Sequence, residues 1–215
     1  MAAVGIEPVP GLPTRFTYAF RGLRNGVIDM RYGRPLSGRR VSRYRDLGSV
    51  DVANSDYGAL AQIFRGRVRP DDVLVDIGCG KGRVLNFWLH HFPGQRVIGV
   101  EHDAEIALAT RRRLRRHENC SVVIGDAGTW LPPDGTLFFL YNPFDRRCTQ
   151  AFVDRLNEIA RSTTRVLYSN PRHCDVFFDD PLWAVAIHAL ENKGAAHYDD
   201  LAVIGRAKPD DIEPA

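Results

Sequence analysis

The chain predicts an α/β fold: a doubly wound, mostly parallel seven-stranded sheet ending in an antiparallel hairpin, with an N-terminal extension ahead of it. Three observations carry that expectation. After residue 56, short apolar runs alternate with amphipathic stretches, which is the pattern of strand-helix-strand units. One of the runs, Val73 to Ile77, leads directly into the glycine-punctuated turn Gly78-Cys79-Gly80-Lys81-Gly82 and then into a helical pattern. The last two runs, Leu182 to Leu190 and Leu201 to Gly205, are joined by the polar Glu191 to Asp200, which leaves no room for a crossover helix, so they pair antiparallel.

The elements follow in order. Met1 to Pro13 holds three prolines and an early Glu7, with no basic start followed by an apolar core, so it does not read as a signal peptide and a cytoplasmic location is expected. From Arg15 to Arg45 nine arginines face one acid, Asp29, a local charge near +8 in a chain whose total is +3. Phe16, Tyr18, Phe20, Tyr32 and Tyr44 are interleaved with them and offer something to bury. Residues 1–56 are therefore expected to form a basic extension, as an ordered lid, a nucleic-acid-contacting arm or a solvated tail. Residues 57–206 form the main domain and 207–215 a tail. Strands are expected at Val73 to Ile77, Arg96 to Val100, Cys120 to Ile124, Thr136 to Tyr141 and Arg165 to Ser169, with helices from about Arg83 to His91, Ala104 to His117 and Arg147 to Ile159.

Composition narrows the class. With 215 residues, 44% apolar and 26% charged, the chain suits one globular domain, and no run approaches the length of a bilayer span. The four cysteines, Cys79, Cys120, Cys148 and Cys174, show no C-x-x-C pair, and none of the seven histidines forms a metal-binding H-x-x-x-H pattern. Reduced thiols and no metal are expected.

The glycine loop is a nucleotide-type cofactor site. Glycines without a Cβ let the backbone turn sharply and come close to a ligand, and the following helix start favours a negative group. A dinucleotide fingerprint G-x-G-x-x-G would need glycine where Arg83 stands. The spacing is instead G-x-G-x-G, with Asp76 two residues ahead of it. Glu101, 23 residues after Gly78, ends the second strand where a carboxylate can accept both hydroxyls of a ribose.

Asp76 to Gly82 resembles motif I of the class I S-adenosylmethionine-dependent methyltransferases, and the resemblance extends over about residues 55–206. It implies a Rossmann-like fold with S-adenosyl-L-methionine as cofactor and S-adenosyl-L-homocysteine as product. It also implies that Gly78, Cys79, Gly80 and Gly82 line the amino acid end of the cofactor, that Asp76 meets the ammonium group, and that Glu101 holds the ribose. By the same resemblance His102 lies against the adenine, Asp126 with Ala127 beside it receives the adenine amino group, and Tyr57 closes over the cofactor. As residues alone, His102 is equally a loop histidine and Asp126 a turn residue.

Asn142-Pro143-Phe144, at the end of the fourth strand, looks like a shortened N-P-P-Y/F motif of amino-group methyltransferases, with one proline missing. That implies Asn142 and Phe144 at the acceptor; by their positions Tyr141, Asp145 and His173 are the nearest titratable groups, and none is singled out. Asn170-Pro171 repeats the pair, so it equally reads as a strand stop. The expected reaction is methyl transfer to a nitrogen or oxygen of a small molecule. Two alternatives are a nucleic acid or protein acceptor held by the arginine-rich segment, and a non-catalytic scaffold that only binds the cofactor.

Overall fold

The computed structural model of the chain describes residues 14–36, 55–190 and 200–207, with side chains from residue 22 onward in the first segment. Tyr44, the arginines at 39–45, the side chains of Phe16, Tyr18 and Phe20, the hairpin connection and nearly all of the C-terminal tail lie outside the described residues. The helices are α1 (Thr14–Arg31), α2 (Tyr57–Phe64), α3 (Arg83–His91), α4 (Ala104–Leu114), α5 (Arg146–Ile159) and α6 (Asp175–Phe178). The strands are β1 (Val73–Ile77), β2 (Arg96–Glu101), β3 (Cys120–Ile124), β4 (Leu137–Tyr141), β5 (Arg165–Ser169), β6 (Trp183–Ala189) and β7 (Asp200–Arg206).

The strands form one seven-stranded sheet in the order β3-β2-β1-β4-β5-β7-β6. β1 to β5 run parallel, while β7 pairs antiparallel with both β5 and β6, as expected from the short hairpin connection. Strand period two sorts the core into two layers. Leu74, Val97, Leu137, Phe139 and Leu167 face a cluster with Leu60, Phe64, Leu85 and Trp88 from α2 and α3. Val75, Ile98, Phe138, Leu140 and Tyr168 face the other way, onto Phe152, Val153 and Leu156 of α5 and Phe177 of α6. The strand order reverses between β1 and β4, and such a switch point opens a crevice at the carboxyl ends of the strands.

Two features differ from expectation. α1 is a helix in a segment to which the sequence assigned no element; Asn25 and Asp29 within it and Tyr32 just beyond its end are buried against the domain. α4 stops at Leu114, where the His117 amide bonds to the Leu114 carbonyl and the chain turns toward β3. Among the described residues no helix is long and apolar enough to cross a membrane, no group of His, Cys, Asp and Glu could hold a metal, and all four cysteines are free.

At the opposite edge of the sheet from the crevice, buried Asp72 ties three strands together. Its carboxylate accepts bonds from Arg165 at 2.6 and 2.7 Å, from the Thr136 hydroxyl at 2.8 Å and from the Arg69 amide at 2.7 Å. Removing one partner of a buried pair strands the other charge. Asp72→Ala is expected to lower the free energy of unfolding by about 3–5 kcal/mol in urea titrations, with the fold retained.

Candidate active site at the carboxyl edge of the sheet

The glycine loop leaves β1 at the switch point. Gly78, Gly80 and Gly82 have φ of 72°, 51° and 78°, the left-handed region that other residues avoid. At Gly78 a Cβ would sit 2.9 Å from Cβ of Pro143, and at Gly82 it would sit 2.7 Å from the Thr110 methyl. The loop is thus wedged between the end of β4 and helix α4. The amides of Gly78 and Cys79 both donate to the Val100 carbonyl, that of Gly80 donates to Glu101 Oε2 at 2.8 Å, and that of Gly82 donates to the Cys79 carbonyl. The sequence pattern led to loop amides turned toward a ligand, whereas these four are satisfied within the protein. The Cys79 side chain points into the core against Gly99, and burial raises its thiol pKa well above the usual range, so it is an inert packing residue.

Asp76 and Glu101 lie on one face of adjacent strands, because Asp76 pairs in register with Gly99 and Glu101 is two residues further on. Both are buried, Asp76 at 3% and Glu101 at 8% exposure. Desolvation raises both pKa values, that of Asp76 strongly and with the nearby Glu101 charge adding to it. Glu101 is partly compensated by amide bonds from Gly80 and Asp103 at 2.8 and 2.9 Å, which occupy one position on each oxygen and leave the others open. Asp76 has no hydrogen bond or ion pair from its carboxylate among the described residues. A buried acid beside a second acid, with no ion pair among the described residues, is a costly arrangement unless a ligand supplies a cation. This donor set fits a ligand carrying an ammonium group next to a ribose.

The other expected contacts separate in space and role. His102 is exposed directly after Glu101, and Asp103 caps α4 by accepting from the Glu105 and Ile106 amides. Asp126 is exposed after β3 and closes a turn, with the Gly128 amide on Oδ1 at 2.8 Å, while Oδ2 takes no bond among the described residues; Ala127 is in the core. Tyr57 is buried behind the glycine loop, where its hydroxyl donates to Asp29 at 2.8 Å and accepts from Asn86 at 3.2 Å. Its burial therefore has a structural cause already present in the protein.

Asn142 and Asn170 end β4 and β5 with φ of 41° and 52°, and each precedes a proline. Residues before proline favour extended backbone, so both positions are strained, even for asparagine. Both are buried. Asn142 Oδ1 accepts the Tyr168 hydroxyl at 3.1 Å, while its amide nitrogen has no partner among the described residues. Tyr168 also meets Thr149 and the His173 backbone, and burial pushes its pKa up to about 12. Tyr168 and Thr149 were missed from sequence because each is one apolar-patterned position of a strand or helix, with nothing local to mark its partner. Phe144 is half-buried with its ring 6.4 Å from Phe152, and Tyr141 packs toward the opposite layer. His173 is half-buried on the loop after β5 and close enough to Asp145 to lower its pKa. Asp145 caps α5 through the Cys148 amide at 2.8 Å, the main reason that its pKa is low, which makes it a poor base.

Residues 74–168 match a family model described as a methyltransferase domain. Trans-aconitate 2-methyltransferase of Sinorhizobium fredii (strain NBRC 101917 / NGR234) is 32% identical over 69 residues, which is 31% of this chain and 25% of that protein. The Rhizobium meliloti (strain 1021) protein of the same name is 37% identical over 67 residues, 30% of this chain and 24% of its own. The match thus spans about a quarter of the length of these curated relatives. Among solved structures, the mitomycin 7-O-methyltransferase MmcR superposes with a TM-score of 0.57 at 17% identity, covering 70% of this chain and 54% of that one. The glycopeptide N-methyltransferase MtfA complexed with S-adenosyl-L-methionine gives 0.57 at 15% identity, covering 72% and 95%. These structural likenesses establish the fold, a mostly parallel sheet with an antiparallel end, and the sequence match points to methyl transfer. Over residues 74–168 the chain is similar to the methyltransferase-domain family, and that match together with the fold supports a class I, Rossmann-like S-adenosylmethionine-dependent methyltransferase.

Proposed function

We propose that the protein transfers a methyl group from S-adenosyl-L-methionine to an oxygen of a small anionic molecule. The observation that carries the donor assignment is the unpaired, buried Asp76 beside Glu101 at the switch point. When bound, S-adenosyl-L-methionine supplies a methyl group already activated on a sulfonium, with S-adenosyl-L-homocysteine as the neutral leaving product. Asp76 accepts the ammonium of the cofactor, and the open lone pairs of Glu101 accept the ribose hydroxyls. Asp126 Oδ2 takes the adenine amino group, with His102 and Ala127 at the ring. Gly78, Cys79, Gly80 and Gly82 line the amino acid end by close backbone approach. Tyr57 supports the loop from behind.

At the acceptor side, Asn142 holds its carbonyl oxygen on Tyr168 and so presents an amide N–H to the substrate. An N–H donor suits an oxygen acceptor better than the protonated amine for which an asparagine carbonyl would be needed. Arg147 and Arg172, exposed near the ends of β4 and β5 with no hydrogen bond or ion pair from their side chains among the described residues, suit an acid. The curated relatives named above are trans-aconitate methyltransferases, which agrees with a carboxylate. Phe144 and Tyr141 flank the acceptor. A carboxylate oxygen takes the methyl without losing a proton: the carbon–sulfur bond breaks as the carbon–oxygen bond forms. For a hydroxyl or amine acceptor, His173 is the base. A cytoplasmic location belongs to the same reading. A second reading, a nucleic acid acceptor, draws on Arg116 and Arg31, brought together where the Arg116 guanidinium donates to the Arg31 carbonyl at 3.0 Å. It predicts acceptor binding that weakens steeply with salt.

Calorimetric titration with S-adenosyl-L-methionine, S-adenosyl-L-homocysteine and NAD is expected to show binding of the two adenosyl compounds alone; NAD binding alone would sink the reading. Glu101→Ala and Asp126→Ala should each weaken that binding by about 1–3 kcal/mol, the cost of a lost charged hydrogen bond. Asn142→Ala should lower turnover on trans-aconitate or another polycarboxylate while leaving cofactor affinity intact. A normal rate in that variant would reduce Asn142 to a strand stop.

The raised pKa of Asp76 has a testable sign. A carboxyl whose folded pKa lies above its unfolded value contributes stability that is present at low pH and lost as pH rises through the folded pKa. Asp76→Asn should therefore raise the melting temperature of the ligand-free protein at neutral pH and flatten its decline above the ordinary carboxylate range, while abolishing cofactor binding. Thermal melts across about pH 5 to 8 check both halves.

A further inference from the structure

We infer that Asp29, in the N-terminal helix α1, is a positioning residue for the cofactor loop, acting through Arg83 and coupling the docking of α1 to cofactor binding. Arg83 is the residue that breaks the dinucleotide fingerprint, and it opens α3 immediately after Gly82. Its guanidinium is buried, with 7% of the side chain exposed, against an Asp29 carboxylate that is fully buried. Arg83 donates to Asp29 from Nε at 3.1 Å and from a terminal nitrogen at 2.6 Å, and to the Ser55 carbonyl at 3.2 Å. The same carboxylate accepts the Tyr57 hydroxyl at 2.8 Å and the Leu36 amide at 3.0 Å. Asp29 thereby holds the end of α1, the start of α2 and the helix that follows the glycine loop.

A second set of contacts holds the loop from α4. Arg113 donates to the Lys81 carbonyl at 2.8 Å and, in the same reach, to the Tyr32 carbonyl at 2.7 Å and Asn86 Oδ1 at 2.8 Å. The Thr110 hydroxyl donates to the Gly80 carbonyl at 2.9 Å. The backbone of the loop at Gly80 and Lys81 and the chain just after α1 are thus gripped by neighbouring residues of one helix, while Asp29 grips Arg83. Release of α1 would leave the Arg83 charge buried beside the loop without its counter-charge, so the loop could not keep this position. Because coupling free energy is reciprocal, whatever occupies the loop also strengthens the docking of α1.

The inference rests on the proposed cofactor site, and the experiment separates the two. The unmodified protein is first titrated with S-adenosyl-L-homocysteine; absence of binding removes the cofactor reading and this inference with it. Given binding, Asp29→Asn is expected to weaken affinity at least tenfold. Asp72→Asn breaks a different buried pair, at the far edge of the sheet, and should lower the melting temperature while changing affinity less than twofold. Equal loss of affinity in the two variants, or normal affinity in Asp29→Asn, overturns the coupling. The unmodified protein supplies a readout that needs no variant to fold. Hydrogen exchange at the Leu36 amide should slow at least tenfold when S-adenosyl-L-homocysteine is saturating, and unchanged exchange there overturns the inference.

Discussion

A guanidinium buried at the first turn of a helix cannot be left without a counter-charge, and the placement of Arg83 makes the N-terminal segment part of the cofactor domain. The positive end of the α3 dipole already disfavours a cation at that point. Asp29 answers it from 54 residues earlier in the chain, and in doing so acquires Tyr57 and the Leu36 amide as further donors. Asp56 extends the same connection, capping α2 through the Gly58 and Ala59 amides while accepting from Arg24 and Asn25 of α1. The segment that looked like a basic appendage is, from Asn25 to Leu36, a buttress of the glycine loop. Its arginines divide accordingly, since Arg24 makes a structural pair whereas Arg31 and Arg34 remain on the surface.

The crevice is built from groups that the fold alone does not favour. Asp76 is driven toward its neutral form by burial and by the Glu101 charge, and Glu101 by burial, which its amide bonds and the neighbouring His102 only partly offset. Across the crevice, two asparagines adopt left-handed backbone ahead of proline. Desolvated like charges and local strain both lower stability, and both collect where the parallel strands end and the strand order reverses. By contrast, the opposite edge of the sheet carries Asp72 with its full complement of partners. The Asp72 carboxylate is thus fully partnered at one edge, whereas the Asp76 carboxylate at the other has no partner among the described residues, as expected when a ligand completes it.

The two core layers explain how the crevice stays rigid. Each strand alternates its residues between the α2–α3 cluster and the α5–α6 cluster, so neither face can shift without repacking the other. Tyr168 illustrates the consequence. It belongs to the packed α5–α6 layer by its ring, and its hydroxyl reaches Asn142, so a core residue sets the orientation of an acceptor-side amide.

The sequence by itself determined the strands, the parallel-to-antiparallel change and the glycine loop, because those depend on local periodicity, turn chemistry and the lack of room for a crossover between the last two runs. It also marked Asp76 and Glu101, whose distance along the chain follows from one strand-helix-strand unit. It did not reveal α1, which carries two glycines and docks through Asn25 and Asp29 onto Asp56 and Arg83. Only the tertiary structure decided which of the clustered arginines on α4 turns inward: Arg113 and Arg111 have the same chemistry, but only Arg113 lies beside the carbonyls of Lys81 and Tyr32. The same holds for Asp126, where sequence allowed a turn or a ligand contact and the structure shows the turn with one oxygen left over. Partnerships across tens of residues depend on which faces meet, and a single sequence carries no local trace of that choice.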